Sequence, residues 1–71
     1  MLIDDIASKL VSVTRSGSVS DWIDRMGVLA HQAGVHTELI NWTAAPHVVS
    51  YGVVRQAISE GRLEALQKLL G

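Results

Sequence analysis

Residues 43–61, TAAPHVVSYGVVRQAISEG, constrain the fold of this chain more than any other stretch. On a helical wheel at about 100° per residue, one mainly apolar set of side chains covers an arc of about 200°. The set consists of Val49, Ser50, Tyr51, Val53, Val54, Ala57 and Ile58. A surface helix needs an apolar stripe only about half as wide. We therefore predict a central helix that is packed by neighbours on several sides.

Local signals mark both ends of this predicted helix. Thr43 is a suitable N-cap, and Pro46 then falls in the first turn, where its missing N–H costs no hydrogen bond. Gly61 can adopt the left-handed conformation that ends many helices. The valines of the stretch also have some strand propensity. The length of the segment and the Gly61 signal favour a helix.

Three further segments, residues 2–14, 19–33 and 62–70, carry apolar side chains at helical spacing. A shorter segment, residues 37–41, predicts a short helix or turn capped by Thr37. The side chains expected to face the core are Ile3, Ile6, Leu10 and Val13, with Leu2 and Ala7 beside them; Trp22, Met26, Leu29 and Ala33; Leu39, Ile40 and Trp42; and Leu63, Leu66 and Leu70.

Serine and glycine residues separate these segments. Ser18 and Asp21 resemble a capping box at the start of the second helix, with Asp in place of Glu. Gly27 lies inside that helix and predicts a close helix crossing, and Gly34 predicts its end. Together the segments predict an all-α fold, a compact bundle of four to five short helices forming a single domain over residues 1–71.

Composition excludes several classes of function. The chain has no cysteine, which excludes disulfides, thiolate chemistry and cysteine-based zinc sites. No uncharged run reaches 18 residues and the N-terminus opens with acidic residues, so we predict neither a membrane span nor a signal peptide. A cytoplasmic location is the resulting expectation. The net charge is −1 and the basic residues are dispersed, unlike the clustered charge of a nucleic-acid binder.

The sequence contains no recognisable catalytic or metal-binding motif. His31, His36 and His47 include no i, i+4 pair, and no HExxH is present. Asp21 and Asp24 could act as paired carboxylates, but acidic residues are favoured near a helix start in any case. No serine lies in a GxSxG elbow. We expect no enzymatic activity, no cofactor, no metal and no small-molecule substrate.

Residues 42–70, WTAAPHVVSYGVVRQAISEGRLEALQKLL, combine a valine-rich helix, a turn before "GRLEAL" and a final leucine helix. The positions of this pattern are Val49, Val53, Ala57, Gly61, Arg62, Leu63, Leu66 and Leu69. The pattern resembles the C-terminal half of bacterial effector-associated domains, which are small helical adaptors with a death-fold-like architecture. The resemblance implies a domain that recruits an effector by pairing with a similar domain in a bacterial defence system.

Charged side chains are the candidate contacts for such pairing, because complementary charges set the specificity of many interfaces. We predict Asp21, Asp24 and Arg25 on the second helix, and Arg55 and Arg62 on and after the central helix, as partner-binding residues. The partner would be a similar domain or a second copy of the chain, and not a nucleic acid or a membrane. Contact between an acidic face and a basic face would generate a ring or a filament.

A small helix-turn-helix DNA-binding regulator is the alternative. Residues 19–33 and 37–41 would form its helix pair around a turn at Gly34. The segment that follows has no Arg, Lys, Asn or Gln at recognition spacing, which argues against this alternative.

Overall fold

Four α-helices account for most of residues 3–71, the part of the chain that the computed structural model describes. They are α1 (Ile3–Thr14), α2 (Val19–Gln32), α3 (Pro46–Ser59) and α4 (Leu63–Leu70), with a 3-10 turn at Thr37–Leu39. This part of the chain contains no strand and measures 30 × 23 × 18 Å. The predicted all-α bundle is confirmed. The predicted position of Leu2 beside the first helix lies outside the described residues.

Helix α3 is the centre of the bundle, as its wide apolar face predicts. It packs against α1, α2 and α4, and most extensively against α1. Its buried residues are Val49, Ser50, Val53, Val54 and Ala57. They span about 140° of the helix, an arc narrower than the predicted one. Tyr51 and Ile58, which the prediction placed inside the arc, are 39% and 43% exposed because the neighbouring helices stop short of them.

The start of α3 differs from the prediction. Pro46 is the first helical residue, and Ala45 is the N-cap without a side-chain hydrogen bond. Thr43 is not the cap because Asn41 engages it: the Asn41 amide oxygen accepts hydrogen bonds from the Thr43 backbone N–H (3.1 Å) and hydroxyl (2.6 Å). Asparagine commonly stabilises turns in this way. The fixed φ of Pro46 is sufficient to begin the helix.

Gly34 and Gly61 end α2 and α3 as predicted. Both have positive φ, at 82° and 70°. Behind each glycine the chain closes a Schellman motif. Val35 N–H donates to the Ala30 carbonyl (3.0 Å), and Arg62 N–H donates to the Ala57 carbonyl (2.7 Å). A residue with a side chain at either glycine would adopt this conformation only with strain.

Two side chains predicted for the core are instead exposed. Val13 is 49% exposed, and Val11 is buried in its place. The reason is that α2 approaches α1 at Val11, where the Trp22 indole N–H donates to the Val11 carbonyl (3.0 Å). Leu39 is 67% exposed, because the chain becomes extended after the 3-10 turn and brings Ile40 against the core.

The remaining core predictions hold, with two polar additions. Leu10, Met26 and Leu66 are among the largest fully buried side chains. Thr14 is buried at the end of α1 and donates its hydroxyl to the Leu10 carbonyl (2.7 Å). Ser50 is buried in α3 and donates to the His47 carbonyl (2.8 Å). Each hydroxyl therefore has a partner within its own helix, which makes its burial tolerable.

Gly52 within α3 and Gly61 just after it form a matched pair for testing where α3 ends. A Cβ added at Gly52 would meet nothing within 4 Å, whereas Gly61 has positive φ. We expect Gly52→Ala to raise the free energy of unfolding by up to about 1 kcal/mol through helix propensity. Gly61→Ala should lower it by about 1 kcal/mol or more because alanine is strained there. Urea denaturation of both variants checks the opposite signs, and equal signs would contradict the assigned end of α3.

Candidate functional site

An exposed row of side chains follows the outer face of α3. Val48, Tyr51, Arg55 and Ile58 are all exposed and occupy positions i, i+3, i+7 and i+10 of the helix. We call these four residues the α3 strip. Val48, at 61% exposed, is the most accessible of its apolar members. Single exposed apolar residues are ordinary, but a row at this spacing is how an amphipathic helix presents anchors to a partner.

Arg55 lies in the middle of the α3 strip and is held over an aromatic ring. Its guanidinium carbon is 6.0 Å from the centroid of the Tyr51 ring. This is the geometry of a cation–π contact, which restricts the arginine side chain without neutralising its charge. The guanidinium therefore remains free to form paired hydrogen bonds with a carboxylate. The α3 strip combines three apolar side chains, one cation and no carboxylate.

A shallow groove lies beside α2, bounded on one side by that helix and on the other by the segment after the 3-10 turn. We call it the Trp42 groove. Its lining consists of Ile23, Asp24, Gly27, Val28, His31, Gln32, Thr37 and Trp42. The Trp42 indole N–H donates to the Thr37 carbonyl at 2.8 Å, which fixes the ring. The groove thus has a fixed aromatic wall facing the apolar side chains of α2.

Gly27 explains how the Trp42 ring comes so close to α2. A Cβ added at Gly27 would lie 3.7 Å and 3.8 Å from two atoms of the Trp42 ring. The predicted close approach at Gly27 is therefore made by the ring of Trp42, and not by a second helix as expected. The reason is that Trp42 comes from the irregular connection between α2 and α3, whose path no periodicity could indicate.

The formal charge that lines the Trp42 groove is negative. Asp24 is the carboxylate of its lining, and neither lysine nor arginine is among the described residues that form it. Arg25 follows Asp24 in sequence but reaches towards α1, where its guanidinium donates to the Arg15 carbonyl (3.4 Å). Val28 is 54% exposed within the lining. The groove therefore combines an apolar wall with one exposed carboxylate.

The five residues predicted to bind a partner do not form one site. Asp24 lies in the Trp42 groove and Arg55 on the α3 strip, on two separate surfaces. Asp21 is exposed in the first turn of α2, where its backbone N–H donates to the Ser18 hydroxyl (3.4 Å), as the predicted cap requires. Arg62 is exposed but packs over Gly34, with its Nε 3.5 Å from the position of an added Cβ.

Trp22 packs against the core, as predicted, with a basic environment at its outer edge. The Arg15 guanidinium carbon lies 5.5 Å from the Trp22 ring, and His47 meets the ring edge-on with centroids 6.5 Å apart. Each of the three histidines has different neighbours: His31 lines the Trp42 groove, His36 contacts Glu60 and His47 contacts Trp22. Within residues 3–71, no group of three or more His, Cys, Asp or Glu side chains is placed to hold a metal ion.

Sequence reasoning did not identify Glu60 as the carboxylate with the most hydrogen bonds. It accepts hydrogen bonds from the Gln56 side chain and from the His36 backbone N–H (3.2 Å), and His36 Nδ1 lies 2.5 Å away. These contacts join the connection after α2 to the end of α3. Hydrogen bonds from Gln56 and then His36 lower the pKa of Glu60, against partial desolvation, which raises it. No local signal links residues 24 positions apart.

The lowered pKa of Glu60 predicts a pH-dependent contribution to stability. A carboxyl with a depressed pKa stabilises the fold above its ordinary value of 4.5 and loses this contribution as the pH falls below that value. We expect Glu60→Gln to lower Tm at pH 7 and to reduce the loss of Tm on acidification. Glu64→Gln is the matched control, because Glu64 is 87% exposed and its pair with Lys68 is 3.8 Å long. Parallel Tm–pH curves for wild type and Glu60→Gln would contradict the assignment.

No family model matches this chain, and no curated protein or solved structure matches it. No helix in the described part of the chain is both long enough and apolar enough to cross a membrane.

Proposed function

We propose that this chain is a non-catalytic adaptor module that pairs with a similar helical domain and thereby recruits an effector in bacterial defence signalling. The observation that carries the proposal is the α3 strip, an exposed row of apolar side chains around one arginine. The proposed setting is the cytoplasm. The proposed partner is a protein domain, and the proposal involves no nucleic acid, membrane, cofactor or small-molecule substrate.

The position of α3 favours this use of its outer face. The opposite face of the helix is held by α1, α2 and α4, and Val53, Val54 and Ala57 are completely buried. The backbone that carries the strip is thus supported along its length. A partner that binds a preorganised surface loses less conformational entropy than one that must order it. Each apolar side chain covered by the partner contributes about 25 cal/mol per Å² removed from water.

Arg55 gives the strip a means of discriminating between partners. A guanidinium recognises a carboxylate through paired hydrogen bonds, and complementary charge raises both specificity and association rate. The contact between Arg55 and the Tyr51 ring orients the group before a partner arrives. A partner surface with an acidic residue and apolar neighbours fits this arrangement.

The helix-turn-helix alternative gains no support from the second element on which it depended. Within residues 37–41, a recognition helix is replaced by a single 3-10 turn of three residues, Thr37–Leu39. A recognition helix must present several side chains along a major groove, which one short turn does not do. Salt-dependent retention on heparin would nevertheless support DNA binding against the adaptor proposal.

The proposal predicts concentration-dependent self-association, with a second copy of the chain as the similar domain. Light scattering over a concentration and salt series should detect assembly that weakens as the salt concentration rises. Arg55→Glu should weaken assembly by about tenfold, because it places a like charge against an acidic partner surface. Lys9→Glu is the matched control, since Lys9 is an exposed cation on α1.

Either of two results would contradict self-association through the α3 strip. A monomer at every concentration and salt would exclude pairing between copies of this chain. Equal effects of Arg55→Glu and Lys9→Glu would indicate a general dependence on net charge, with no contact at the α3 strip.

A further inference from the structure

The α3 strip and the Trp42 groove are complementary in charge. The strip contains the cation Arg55 and no carboxylate. The groove contains the carboxylate Asp24 and no described lysine or arginine. Arg25, the cation nearest in sequence to Asp24, is directed to the end of α1 by its hydrogen bond to Arg15. A guanidinium that enters the groove would therefore meet an exposed carboxylate without competition from Arg25.

The two surfaces are also complementary in form. The strip is the ridge of a helix with apolar anchors on either side of Arg55 in the sequence, at Val48, Tyr51 and Ile58. The groove offers Ile23 and Val28 along α2, beside the fixed ring of Trp42, which packs over Gly27. Amphipathic helices commonly bind by laying such a ridge into an apolar groove.

The face of α3 that carries the strip has room for close approach. Gly52 lies on this side of the helix, and the space where its Cβ would be is empty to a distance of 4 Å. Glycine inside a helix is less favourable than alanine, yet nothing within the molecule uses the missing side chain. A neighbouring surface can therefore come close to the α3 backbone beside the strip.

We infer that the α3 strip of one copy docks into the Trp42 groove of a second copy, with Arg55 paired to Asp24. This inference rests on the proposed function and names the partner surface for it. The strip and the groove belong to different helices of the same molecule, so the contact is head-to-tail. Each copy then retains one unoccupied strip or groove, and assembly continues until it closes into a ring or extends as a filament.

Single substitutions test the two halves of the contact separately. Arg55→Glu disables the strip, and Val28→Arg disables the groove at a position that is 54% exposed. The new cation lies one helical turn from Asp24, so it pairs with that carboxylate and repels Arg55 of the incoming strip. We expect each variant to weaken self-association by about tenfold in sedimentation velocity. Lys9→Glu and Val19→Arg are the matched controls; Val19 is 57% exposed near the start of α2, outside the groove lining. Circular dichroism and Tm measurements establish that every variant is folded.

Mixing the two disabled variants is the decisive experiment. The Val28→Arg copy keeps an intact strip and the Arg55→Glu copy keeps an intact groove, so an equimolar mixture should recover the association that each variant loses alone. The remaining strip carries a glutamate and the remaining groove an added arginine, so these two surfaces also attract each other and the mixture should assemble beyond a dimer. A strip-to-strip contact between copies would instead leave the Val28→Arg variant fully assembled on its own.

A charge exchange within one chain provides an independent test. Asp24→Arg alone should weaken assembly, and Asp24→Arg combined with Arg55→Glu should recover at least part of it, since the pair is restored in reverse. Recovery in the mixture and in the double variant would support the inference.

The failure of the inference differs from the failure of the proposed function. Suppose the wild type assembles and Arg55→Glu weakens assembly, but Val28→Arg assembles as the wild type does and Asp24→Arg combined with Arg55→Glu recovers nothing. The groove is then not the partner surface, and the adaptor proposal stands without it. A wild type that is monomeric at every concentration overturns the inference and excludes a second copy of the chain as the similar domain of the proposed function.

Discussion

The burial of one face of α3 is the constraint on which the rest of the structure depends. Val53, Val54 and Ala57 are completely buried in the middle of this helix. Their side chains are short, so the neighbouring helices can approach closely and still fill the space between them. In a chain of 71 residues there is little interior to distribute, and α1, α2 and α4 all bury their apolar faces against this one element or beside it.

The same constraint determines what the molecule displays. Three helices cover part of the circumference of α3, and the apolar side chains just outside that part, Tyr51 and Ile58, are left exposed next to Arg55. The face of α3 that stabilises the fold and the face that we propose for recognition are thus opposite sides of a single helix. The connection between α2 and α3 has a similar double role, because Trp42 packs partly against the core and also forms one wall of the groove.

Periodicity and glycine positions predicted the helices well, because both are local properties of the sequence. The limits of burial were harder to predict. Nothing in the spacing of Tyr51 and Ile58 indicates where the neighbouring helices end. Asp24 and Arg55 were predicted to bind a partner because of their charge. That Asp24 lies in the Trp42 groove and Arg55 on the α3 strip depends on tertiary packing. The contact between Trp42 and Gly27 joins residues whose proximity has no counterpart in local sequence.

Arg55 and Arg62 look equivalent in the sequence, but their side chains make different contacts. Arg62 lies against Gly34, just beyond the last turn of α2. The unpaired carbonyl groups at the C-terminal end of a helix give that end a partial negative charge, which a nearby cation offsets. The guanidinium of Arg62 therefore complements the dipole of α2 and joins the ends of two helices across the molecule. Arg62 is thus exposed yet held against the end of α2, whereas Arg55 lies on the α3 strip beside the Tyr51 ring of its own helix.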